Sequence, residues 1–132
     1  LNAQGSGVYK QAIVDASPEG MVRGFLREQK DTSKHSFGAD GRNGPWGSGV
    51  LSVLYTKNFE GKYPYTGMVP ISTGYLDDAI NEYYRDSEQL PSVVGLSVDI
   101  AAQGLVSCRG ILLQTMGGAK PEEIAAIRSL TV

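Results

Sequence analysis

Apolar residues at Leu76, Ala79, Ile80, Tyr83 and Tyr84 recur at spacings of three and four. That is the period of one broad helical face, and such a face requires a partner. Ser72 or Thr73 is placed to cap this helix, and Asp77 and Asp78 suit the positive end of its dipole. Gly74 is the weak spot, because glycine adds entropy to the unfolded chain. Past Arg85 the helical pattern loosens through Asp86 and Ser87, and Pro91 biases Leu90 away from helical geometry. The apolar run Val93, Val94, Leu96, Val98 then predicts a strand over 93–100, so the unit reads helix, tight polar corner, strand.

Period-two patterning marks the rest. Residues 8–15 put Tyr9, Gln11 and Ile13 on one side and Val8, Lys10, Ala12 and Val14 on the other. With the turn cluster Ser17, Pro18, Glu19, Gly20 and a second run over 21–26, they predict a hairpin. Residues 1–4 read as the tail of a strand before a turn, and the expectation is that an N-terminal part of the domain precedes Leu1. Residues 50–55 form a short apolar run that predicts a buried strand leading into a polar turn over 57–62. Tyr65 to Pro70 follows, and Pro70, with no N–H to donate, fits a strand end or edge. A turn over 101–104 joins strand 93–100 to an antiparallel partner over 105–116. Pro121, Glu122 and Glu123 open a last helix in which Ile124, Ile127 and Leu130 face inward and Arg128 suits the C-terminal end.

The chain has 132 residues, 41% hydrophobic and 20% charged, with a net charge of −2. One domain of this length buries roughly two-thirds of its unfolded surface, and nothing marks disorder or a membrane span. No basic block draws it to phosphate backbones, so nucleic acid and membrane are not expected partners. No targeting signal is legible.

Residues 28–49 are polar and glycine-rich and read as loop. Gly38, Gly41, Gly44, Gly47 and Gly49 are not followed by the lysine and hydroxyl of a phosphate loop, and Asp40 and Asn43 lack calcium-loop spacing. Trp46 in this stretch is expected to anchor the loop by packing its ring. His35, the lone histidine, reads as a solvated loop residue. Cys108, the lone cysteine, lies in an apolar strand and reads as a small buried hydrophobe; by itself it cannot build a disulfide framework or a four-thiolate zinc site. The pairs Asp77 with Asp78 and Glu122 with Glu123 are explained by helix dipoles, and Arg85 can neutralise Glu82 and Asp86. With no nucleophile beside a base, no metal cluster and no cofactor fingerprint, the sequence reads as a non-enzyme without catalytic, cofactor-binding or metal residues.

The corner SEQLPS, residues 87–92, with EYYRD before it, VVGL after it, GMVPIS upstream and GILLQTMGGA downstream, resembles the heat-shock protein 33 family, redox-regulated holdase chaperones. Tyr65, Gly67, Val69 and Pro70 match a family pattern similar to Y-x-G-x-V-P. The resemblance implies an α+β fold, a three-layer β/α/β sandwich with a buried central helix and mostly antiparallel or mixed sheets, with residues 1–132 as the chaperone core domain. It implies an ATP-independent holdase in the cytoplasm that binds unfolded or partly unfolded clients and prevents aggregation, with a homodimer possible. The family's zinc is held by cysteines in a C-x-C and a C-x-x-C pair; this sequence contains neither, so zinc is expected only in a further C-terminal domain. Ser87, Glu88, Gln89 and Pro91 are the distinctive family residues. Their expected role is structural: Ser87 and Gln89 satisfying backbone groups at the helix end, Glu88 accepting from N–H groups or pairing with Arg85, Pro91 fixing the exit. Tyr63, Tyr65 and Met68 flank a strand edge and are the candidate client contacts. The alternative is a structural or dimerisation module whose strand edges pair with a second copy.

Overall fold

The computed structural model describes residues 1–30, 44–56 and 64–129. Within them the chain forms β1 (Asn2–Gly5), β2 (Tyr9–Ala16), β3 (Val22–Glu28), β4 (Gly49–Tyr55), β5 (Tyr65–Ile71), α1 (Leu76–Asp86), β6 (Ser92–Ala101), β7 (Gly104–Gln114) and α2 (Pro121–Arg128). Each strand pairing among them is antiparallel, so the chain is α+β as its pattern predicts. It divides into two compact units, Leu1–Ala79 and Ile80–Val132, with the boundary inside α1. His35, Gly38, Gly41, Asp40, Asn43, Tyr63, Leu130 and the expected turn over 57–62 lie outside the described residues.

In the first unit five strands form one sheet in the order β3-β2-β1-β4-β5. The segment expected to be a strand tail is its central strand: β1 pairs with β2 on one side and β4 on the other. Ala3 lies opposite both Ala12 and Leu51, and these three, with Val69 and Ile71, are buried hydrophobic residues of one sheet face. The period-two rule places them there, since directly paired residues share a face. Pro70 sits on β5, an edge strand, opposite Val50, where a missing N–H costs no ladder bond. The β2–β3 hairpin closes with the Ser17 N–H donating to the Met21 carbonyl and the Gly20 N–H to the Ser17 carbonyl.

Trp46 anchors its loop as expected: it is buried, and its ring lies 5.4 Å from that of Tyr9. The backbone around it is laced in by the Gly7 N–H to the Trp46 carbonyl and the Trp46 N–H to the Gly74 carbonyl. Gly74 is therefore not the weak spot it seems in sequence. Its φ is +80°, and a Cβ there would stand 2.6 Å from the Gly44 nitrogen, so the crossing of the two segments requires glycine.

On α1, Ala79 and Tyr83 are buried while Leu76, Ile80 and Tyr84 are half-buried, the broad face that the spacing predicts. The helix begins at Leu76, later than a cap at Ser72 or Thr73 requires. Thr73 Oγ1 instead accepts from the Tyr75 N–H at 3.3 Å and donates to Asp78 at 2.6 Å, tying the approach to the helix rather than its first-turn amides. In the second unit β6 and β7 form a two-stranded sheet, and α2 starts with Pro121 as predicted, Glu123 accepting from the Lys120 N–H at 2.8 Å.

Candidate functional site

The corner after α1 is built largely by backbone. The Tyr83 carbonyl accepts from the N–H groups of Ser87 and Glu88, and Gln89 then takes a φ of +55°, bringing the Leu90 N–H back to the Tyr84 carbonyl at 3.1 Å. A left-handed residue past a helix end satisfies carbonyls that would otherwise be orphaned. Gln89 thus acts through its backbone conformation, with its side chain exposed, rather than through the side-chain bond expected of it. Pro91 sends the chain into β6, and its carbonyl accepts from the Thr115 N–H at 3.0 Å. It also lines a shallow apolar depression with Pro121, Ile124, Ala125 and Ser129.

Glu88 does not pair with Arg85. Its Oε1 accepts from the Tyr83 hydroxyl at 2.5 Å, a bond between a half-buried carboxylate and a side chain only 1% exposed. Arg85 instead forks onto Asp86 at 2.6 and 3.1 Å and lies 3.8 Å from Glu82. The hydrogen bond to Asp86, helped by its charge, raises the Arg85 pKa, and the same bond lowers that of the Asp86 carboxyl. Both side chains are exposed, so water and salt screen the pair.

One contact that residue spacing does not announce joins α1 to β6. Asn81 Nδ2 donates to the Val94 carbonyl at 2.9 Å, and Asn81 Oδ1 accepts from the Val94 N–H at 2.6 Å. The side-chain amide thereby does for Val94 what the peptide group of a neighbouring strand would do. Asparagine's matched donor and acceptor are the only signal in the sequence, and they do not name a partner thirteen residues away.

The candidate contact residues are not brought together. Tyr65 and Met68 are both exposed on edge strand β5, as anticipated, but their pairings with Tyr55 and Ser52 put them on opposite faces. Tyr63 lies outside the described residues. Met68 is 68% exposed, and apolar side chains outside the candidate set are open as well, Phe25 on the same sheet being 57% exposed opposite Ile13.

In the second unit one face of the β6–β7 hairpin carries Val94, Leu96 and Val98 with their partners Leu112, Gly110 and Cys108. It holds no charged side chain, and Leu96 and Val98 are 45% and 54% exposed. Cys108 is itself exposed, contrary to its expected burial, because this apolar strand face is open. Strand alternation reveals such a face but not whether anything covers it. Among the described residues no three His, Cys, Asp or Glu lie close enough to hold a metal, and a single cysteine does not fit a four-thiolate zinc site.

These features define an α+β protein of antiparallel sheets with a hydrogen-bonded helix-to-strand corner and uncharged apolar surface left open. The family model described as Hsp33 protein matches residues 1–131, and the chain belongs to that family. It is 32% identical over 124 residues to the 33 kDa chaperonin of Picosynechococcus sp., covering 93% of this chain and 41% of that protein. To the 33 kDa chaperonin of Levilactobacillus brevis it is 33% identical over 132 residues, covering 96% of this chain and 43% of that one. The crystal structure of the 33 kDa chaperonin from Thermotoga maritima superposes with a TM-score of 0.61 at 25% identity, over 83% of this chain and 37% of the other. The chain thus spans about two-fifths of the length of these curated relatives.

Proposed function

We propose that the chain is the client-holding part of an ATP-independent holdase, which captures unfolding proteins on apolar surface and prevents their aggregation. Membership of the Hsp33 family supports the chaperone class. The observation that carries the mechanism is the uncharged, half-exposed face of Leu96, Val98 and Leu112; the other unit separately exposes Phe25 and Met68. Fully burying such a side chain is worth about 1.5–3 kcal/mol, so covering the remaining half of three or four gives about 4 kcal/mol, the equivalent of millimolar affinity. One patch holds a client weakly; several patches on one polypeptide hold it well. That regime suits a protein that must accept many sequences and release them. No bond is made or broken, and the reading requires no enzymatic activity.

In the longer protein we further propose redox control by zinc-binding cysteines outside this sequence, and a cytoplasmic location. The test is light scattering from a thermally unfolding client: the chain, or its full-length oxidised parent, suppresses scattering in proportion to its concentration, and no suppression by either sinks the proposal. A second reading, a dimerisation module, draws on the outer edges of β3 and β5, which pair with no other strand among the described residues. Sedimentation at several concentrations separates the two, since a strict monomer excludes the module.

A further inference from the structure

We infer that the outer edge of β6 at Leu96 and Val98 is a strand-addition site that takes the main chain of an extended, uncharged polypeptide segment. The inference rests on the client-holding reading and names how a client is gripped. Its basis is the parity of the β6 ladder. The Pro91 carbonyl bonds the Thr115 N–H across the hairpin, whereas both main-chain groups of Val94 turn away from β7 to meet Asn81. Because the pattern alternates by two, the N–H and C=O of Leu96 and Val98 also turn away from β7, in register with Gly110 and Cys108 until the irregularity at Asp99 and Ile100. Among the described residues β6 has no strand on that side.

The edge already accepts an amide at Val94. Asn81 offers Val94 one donor and one acceptor, so what fits the next two positions is a chain of amides with the same spacing. The flanking surface selects the side chains of the occupant. Leu96, Val98 and Leu112 are apolar and half-exposed, and no charge lies on their face, so an incoming strand with apolar residues on that face buries them while its backbone completes the ladder. Main-chain recognition carries no sequence information, which is what a holder of many clients requires.

The probe is a capped peptide of alternating valine and threonine with a lysine at each end, and the readout is amide exchange in the 132-residue chain. Peptide is expected to slow exchange at the Leu96 and Val98 amides, and N-methylation of the peptide amides that face the edge is expected to weaken binding about tenfold or more, the loss of one or two net hydrogen bonds. Leu96→Pro removes an outward N–H that the β6–β7 ladder does not use, so it abolishes peptide binding while the amides bonded across the hairpin keep their protection. Equal binding of methylated and unmethylated peptides overturns the inference, as does protection that rises with chain concentration alone, which would place a second copy on the edge. If the chain suppresses client aggregation with no peptide-dependent protection at Leu96 and Val98, the strand-addition site falls and the holdase reading stands. Peptide-dependent protection at both amides without suppression of aggregation keeps the site and removes the holdase reading.

Discussion

Replacing Asn81 with alanine isolates the contact that fastens α1 to β6. The substitution deletes two hydrogen bonds, 2.9 Å to the Val94 carbonyl and 2.6 Å from the Val94 N–H, and leaves both backbone groups without that partner. Each bond is worth about 1 kcal/mol net, and a buried group left unsatisfied costs about 1–3 kcal/mol. Val94 is half-buried, so water recovers part of that penalty. Alanine is also the better helix former by about 0.6 kcal/mol, which offsets part of the loss. The expected net effect is a destabilisation of about 1.5–2 kcal/mol in urea unfolding, with the slope unchanged, and faster exchange at the Val94 amide. Asn81→Asp adds a check of sign. Its carboxylate still accepts from the Val94 N–H but faces the Val94 carbonyl without a donor, a position that favours the protonated acid. Its folded pKa is therefore raised above the unfolded value, and the variant loses stability as pH rises through that range. A loss below about 0.5 kcal/mol for Asn81→Ala, or an unchanged Val94 exchange rate, refutes the idea that this amide stands in for a strand.

Three further outcomes follow from the geometry. Gly74→Ala combines a left-handed backbone, about 1–2 kcal/mol for any residue with a Cβ, with a Cβ 2.6 Å from the Gly44 nitrogen, so chemical denaturation should register a loss of at least about 2 kcal/mol. Tyr83→Phe keeps the buried ring and removes the hydroxyl that donates to Glu88, so a loss of about 1–2 kcal/mol is expected in the same assay, and a neutral result would show that the bond contributes nothing net. Asp86 has a folded pKa below its ordinary value because of Arg85. Its contribution is present above the unfolded pKa and disappears as pH falls through the folded one, so Asp86→Asn should lessen the dependence of stability on acid pH, and added salt should shrink the difference.

What was legible in the sequence is what local physics decides. The spacing of Ala79 and Tyr83 marked the buried stripe of α1, Pro91 marked the end of the corner, and alternation with turn residues marked the β2–β3 and β6–β7 hairpins. Three things were not legible, because each is decided by the folded arrangement rather than by the residue pattern. Gln89 takes a left-handed conformation with no glycine to announce it. Glu88 could reach several donors, and only the folded helix end selects the Tyr83 hydroxyl over Arg85. The apolar run of β6 reads equally as a covered core strand or an open surface, because period two separates faces without saying which one is packed. That ambiguity hid the exposure of Cys108 and directed attention to Tyr65 and Met68, which share a strand but not a face.

The central claim, that open apolar surface on the β6–β7 hairpin holds unfolding chains, is tested most directly by replacing Leu96, Val98 and Leu112 together with serine and titrating the variant against a heat-denatured client. The half of each side chain that is already buried is worth about 3 kcal/mol over the three together, so the variant is compared with the parent sequence at a low temperature where an unfolding curve shows both fully folded, with the client denatured beforehand. The expected result is that the original chain keeps the client dispersed while the serine variant, equally folded, lets it aggregate. Undiminished protection by the serine variant would contradict the claim.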